Sequence, residues 1–140
     1  GLAAEGVQTC IVARRKNLLE ELSAEILAAG GKAPKIVVID VMEPDAATRL
    51  AAAAEQALGK IDILINSAGG SKPAIHVDAP DSAWEESMTL NFVRVRQLTH
   101  AVLPGMMERK WGRVINISGK SEPEALIAAT PRMASRFRYT

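Results

Sequence analysis

Four short stretches of the chain are apolar almost without a break: residues 7–13 (V-Q-T-C-I-V-A), 35–40 (K-I-V-V-I-D), 61–66 (I-D-I-L-I-N) and 113–119 (R-V-I-N-I-S-G). Short runs rich in Ile and Val are the pattern of strands buried on both faces, as in a parallel sheet. The third run organises the rest, because it stops abruptly at Asn66-Ser67-Ala68-Gly69-Gly70. Small residues and glycines at such a stop let a ligand or another backbone come close. In an open α/β sheet, ligands bind beyond the carboxyl ends of the strands.

Between these runs the apolar residues recur every three or four positions, which predicts helices. Residues 18–29 carry Leu18, Leu22 and Ile26 on one stripe, widened by Leu19 and Leu27. Asn17 is a candidate cap for this helix, and Gly30-Gly31 ends it. Pro44 opens an Ala-rich helix over 46–58, with Leu50, Ala54, Ala57 and Leu58 on one face and Gly59 as its stop. Residues 1–5 read as the last turn of a helix capped by Gly6. A loop over 72–79 contains His76. Asp81 or Ser82 caps a long helix whose buried stripe runs through Trp84, Met88, Val95, Leu98 and Val102. Pro104 kinks this helix or starts a new turn, and Gly112 ends it. Counted along the stripe, Asn91 falls in a core slot.

Alternating strands and helices predict an α/β fold, a doubly wound parallel sheet with helices on both faces. After Gly119 the pattern breaks, and Pro131 interrupts the one helical start that follows. Residues 1–119 therefore read as a partial domain, and residues 120–140 as an irregular or divergent tail.

A chain of 140 residues allows one domain. Its net charge of +1 argues against nucleic-acid or membrane-surface partners. No apolar run is long enough to span a bilayer. Cys10 is the single cysteine, so an internal disulfide is excluded, which fits a reducing, cytoplasmic setting. His76 and His100 have no companions at metal-ligand spacing, so no metal site is expected.

Several polar residues stand where chemistry is done. A buried amide at Asn91 must find partners or cost roughly 1–3 kcal/mol. It either ties to a neighbouring backbone or holds a water or side chain at the strand ends. Asn66 and Ser118 end two strands and either satisfy local turns or line one crevice. Arg14 and Arg15 follow the first strand. They are a solvated pair, or they receive the 2′-phosphate of NADP as an Arg does in a dinucleotide fold. Asp40 closes the second strand and is otherwise a helix cap.

Together these residues resemble the classical short-chain dehydrogenase/reductase family, from about Leu2 to Gly119. Asn66-Ser67-Ala68-Gly69, preceded by Asp62, is similar to the family's D-x-L-x-N-N-A-G. Asn91 matches its catalytic Asn, with Pro104-Gly105-Met106 and G-R-V-I-N-I-S following as usual. Ser118 lies in the segment that carries the catalytic Ser. Asp40-Val41 is similar to the pair that contacts adenine, and Arg14 matches the NADP-preferring variant. The resemblance implies a Rossmann-like fold. It implies hydride transfer between NADP(H), preferred over NAD(H), and a carbonyl or alcohol. Asn91 and Ser118 would be catalytic, Arg14, Arg15, Asp40, Val41, Asn66, Ala68 and Gly69 would bind cofactor, and the parent would be a homo-oligomer.

The departures carry their own expectations. The family's first strand and T-G-x-x-x-G-I-G loop should precede Gly1. The Y-x-x-x-K pair is absent, Tyr139 being the single Tyr. Aligning Ala134-Ser135 with the family's A-S-K puts Arg132 and Arg136 at the Tyr and Lys positions, and Gly119 rather than Ser118 at the Ser. The chain thus reads as an incomplete oxidoreductase, inactive by itself, or else as a non-catalytic nucleotide-binding or interaction module of the same fold. Without the first strand, which is central in a doubly wound sheet, two half-sheets with unpaired apolar edges are expected.

Overall fold

The computed structural model describes residues 1–70 and 79–117. Among them the expected alternation is present, with shorter strands. In chain order they are β1 (Cys10–Ala13), α1 (Lys16–Ala28), β2 (Lys35–Val38), α2 (Ala46–Leu58), β3 (Ile63–Asn66), α3 (Asp81–Met88), a π-helical segment (Thr89–Val93), α4 (Arg94–Glu108) and β4 (Arg113–Asn116). Hydrogen bonds reach one residue past the strands: Lys35 N–H donates to Thr9 C=O and Arg113 N–H to Asp62 C=O.

All pairing is parallel, and it forms two separate two-stranded sheets. In one, Cys10 faces Lys35 and Ala13 faces Val38; in the other, Ile63 faces Arg113 and Asn66 faces Asn116. Among the described residues no strand joins β1 to β3, so the half-sheets expected from the sequence are what is seen. They share a helical layer instead. Ala51 and Ala54 of α2 pack with Ile61 and with Val102 and Met106 of α4, and Cys10, Leu64 and Val114 lean on this cluster from three strands. A second cluster joins Ile39, Ala46 and Leu50 to Val12 and Val37. Leu98 of α4 touches both clusters. The small Ala side chains of α2 let α4 come close, which is why an Ala-rich helix sits here.

Side chains alternate across a strand, so Ile65 and Ile115 point away from Leu64 and Val114. They are exposed, together with Ile117, leaving the outer face of the second half-sheet apolar and open among the described residues.

The helix ends follow local chemistry. Residues 1–7 close a helix-ending turn, with Gly6 N–H bonded to Ala3 C=O, Val7 N–H bonded to Leu2 C=O, and Gly6 at φ 77°. Glycine reaches that left-handed conformation without the usual steric cost. Two expected caps are corrected. Helix α1 starts at Lys16 with Arg15 at the cap position, so Asn17 lies inside it, and a Lys16–Glu20 pair at 3.4 Å supports the first turn. Pro80 occupies the cap position of α3, and neither Asp81 nor Ser82 makes a capping bond. Pro104 neither ends α4 nor divides it, and the helix stops at Glu108, before Gly112.

The larger correction is in the long helix. Val102 is buried at 3% exposure, but Trp84 and Met88 are exposed at 59% and 56%, and Asn91 is exposed rather than in a core slot. A π turn holds one residue more than an α turn, and each residue turns the helix by about 100°. The segment Thr89–Val93 therefore breaks the phase, and residues before it no longer share a face with those after it.

Candidate active site

The carboxyl ends of the four described strands carry the candidate residues. Arg14 follows β1 directly, and its Nη1 lies 3.7 Å from Oδ2 of Asp40, just past β2. Asp40 Oδ1 accepts the Met42 N–H at 2.9 Å, so the carboxylate is braced by its own turn. Val41 follows in this turn, half-buried. Arg94 of α4 braces the same turn from below: its Nη2 donates to Met42 C=O at 2.6 Å and its Nη1 to Gln97 Oε1 at 2.7 Å. Arg94 Nε is buried with no partner among the described residues. Arg15 is exposed.

The second half-sheet ends in amides. Asn66 is buried, and its Nδ2 donates to Asn116 Oδ1 at 2.9 Å and to Thr99 Oγ1 at 3.3 Å. Asn66 and Asn116 are register partners, so the parallel pairing itself brings their side chains together. The chain then runs through Ala68 and Gly69, both exposed, to Gly70.

Asn91 clasps that loop. Its Oδ1 accepts the Gly70 N–H at 2.9 Å, and its Nδ2 donates at 2.8 Å to both Gly70 C=O and Ser87 C=O. A Cβ at Gly69 would stand 2.8 Å from Asn91 Oδ1, so a larger residue there would push the tip of the amide aside. Of the two alternatives open in the sequence, the amide ties to neighbouring backbone, and the backbone it ties lies at a strand end. The π segment turns Asn91 away from the core and toward this loop.

The structure thus brings together Arg14 with Asp40, and Asn91 with the loop of Ala68 and Gly69. Ser118, Gly119, His76 and Tyr139 lie outside the described residues. The reading from sequence did not single out Asn116, Thr99 and Arg94 as site residues. Asn116 had a signal, since it ends its strand as Asn66 does. Cys10 is partly buried, and burial pushes its thiol pKa up, away from nucleophile chemistry. Among the described residues no group of three His, Cys, Asp or Glu is placed to hold a metal, and no helix is long and apolar enough to cross a membrane.

The sequence profile of short chain dehydrogenases matches residues 1–137. The chain belongs to the short-chain dehydrogenase family. A short chain dehydrogenase of Pseudocercospora fijiensis is 41% identical over 118 residues, covering 83% of this chain. A solved metagenomic short-chain oxidoreductase in complex with NADP superposes with a TM-score of 0.76 at 28% identity, over 96% of this chain and 66% of that one. A 7α-hydroxysteroid dehydrogenase complexed with NADH superposes with a TM-score of 0.77 at 25% identity, over 96% of this chain and 54% of that one. The parallel half-sheets are therefore part of a short-chain dehydrogenase Rossmann fold. The chain spans 38% of the fungal relative's length and 50% of that of a second curated relative.

Proposed function

We propose that this chain is the cofactor-side part of an oxidoreductase that moves hydride between NADP(H) and a carbonyl or alcohol. The observation that carries this reading is the cation and carboxylate at the ends of β1 and β2, Arg14 beside Asp40 at 3.7 Å. In a doubly wound sheet an Arg at this edge suits the 2′-phosphate of NADP, whereas an acid alone suits an unphosphorylated ribose. The residues present fit the adenosine end of that cofactor. Arg14 and the exposed Arg15 offer charge-assisted donors, and Asp40 and Val41 line the neighbouring turn.

When bound, the nicotinamide supplies or accepts the hydride. The chain's own residues bind and position. The loop of Asn66, Ala68 and Gly69 borders the cofactor, and Asn91 fixes its path from the side. Asn91 is read as catalytic, as the resemblance implies: its amide hydrogens go to Gly70 and Ser87, and a second lone pair on its Oδ1 is left to hold a water. Ser118 would orient the substrate oxygen. The 140 residues contain no Y-x-x-x-K pair to act as general acid. A well-placed acid contributes roughly 10²–10⁴-fold, so the chain alone is expected to turn over little. We place the parent in a reducing, cytoplasmic setting, as a homo-oligomer acting on small molecules.

Arg132 and Arg136, where the family's Tyr and Lys align, favour a second reading, a non-catalytic nucleotide-binding module. Cofactor titration of the intact parent tests the preference. An Arg–phosphate contact is worth roughly 1.5–3 kcal/mol, so NADPH should bind at least about tenfold more tightly than NADH. Equal binding, or tighter NADH, sinks the assignment to NADP.

A further inference from the structure

Arg14 and Asp40 close neighbouring strands whose last residues, Ala13 and Val38, are register partners. One carboxylate oxygen of Asp40 is held by the Met42 N–H, and the other lies 3.7 Å from Arg14 Nη1. The side chains are 74% and 37% exposed, so an anion in solvent can reach the guanidinium but meets a carboxylate already beside it. Among the described residues Arg15 has no ion-pair partner to compensate.

We propose that Asp40 is a specificity-determining residue: standing beside Arg14, its carboxylate limits how strongly this edge prefers a phosphorylated over an unphosphorylated ribose. The inference rests on the cofactor reading above. A 2′-phosphate reaching Arg14 must share the guanidinium with Asp40 and sit near a like charge, and both effects oppose it. A ligand lacking that phosphate faces neither. Exposed ion pairs are individually weak, so the restraint is a matter of a few-fold, enough to tune a preference and too little to abolish it.

The test titrates the intact parent with adenosine 2′,5′-bisphosphate and adenosine 5′-monophosphate by isothermal calorimetry. Asp40→Asn is the informative variant, because its amide oxygen still accepts from Met42 while the charge is gone. The readout is the ratio of the two affinities, in which any direct contact between residue 40 and adenine cancels. Asp40→Asn should raise the ratio in favour of the bisphosphate about two- to fivefold, and Asp40→Asn with Arg14→Met should show no rise. Should Asp40→Asn fail to fold, Asp40→Ser also keeps an oxygen acceptor and carries the same expectation. An unmoved ratio, or an equal rise without Arg14, overturns the inference while leaving the cofactor reading intact. A wild-type parent that binds neither nucleotide overturns both.

Discussion

Asn91 shows how one side chain can commit a loop. Its three hydrogen bonds run to Gly70 N–H, Gly70 C=O and Ser87 C=O, linking the π segment to the end of β3. Each such bond nets roughly 0.5–1.5 kcal/mol, less where water competes, and Asn91 is exposed. Asn91→Ala should therefore cost about 1–3 kcal/mol in urea unfolding and speed hydrogen exchange at the Gly70 amide. Asn91→Asp should do no better, because it turns a carboxylate toward two carbonyl oxygens. A loss below about 0.5 kcal/mol for Asn91→Ala, within the range of ordinary surface changes, would mean the clasp contributes little. Asn66 was legible in the sequence because a polar residue ends an apolar run there, whereas Asn91 was singled out for a core slot that the structure does not give it. Thr99 and Arg94 were not, because their partners lie 33 and 52 positions away and only the packed helix brings them near.

At the scale of elements, the strands and the helical spacing were readable because period and composition agree. What was not readable is the phase of the long helix. Trp84, Met88, Asn91, Val95, Leu98 and Val102 fit one unbroken α-helical stripe, and nothing in their identities marks the extra residue of Thr89–Val93. The strand ends were overread for a related reason. Apolar runs continue beyond the paired residues, and pairing depends on a neighbour that the run does not reveal. The junction of α4 with β4 yields a prediction of its own. A Cβ at Gly112 would lie 2.5 Å from Met106 Sδ and 2.7 Å from Met106 Cβ, and Met106 is buried at 4% exposure. The blocking atoms include the root of the side chain, so rotating its tip does not relieve the clash. Gly112→Ala should destabilise by about 1–3 kcal/mol. An unchanged melting temperature would show that the whole Met106 side chain can step aside.

For the whole molecule, the open edges are the main liability. Among the described residues β1 and β3 each pair on one side, and the outer face of β3 and β4 exposes Ile65, Ile115 and Ile117. Unpaired edges and apolar faces promote association with other chains. The 140-residue chain alone is expected to self-associate or melt poorly, as light scattering and thermal melting will report. A clean monomer melting cooperatively above roughly 60 °C, the upper mesophile range, would contradict this. The way the halves are joined has a mechanical side. Within each half, parallel hydrogen bonds are directional and hold the strands in register. Between the halves, Leu98 packs into both clusters and Arg94 hydrogen-bonds the turn after β2, so the helical layer resists sliding as a close-packed interior does. Both half-sheets are thus fastened to one keel, and a load applied to either reaches the other through α2 and α4.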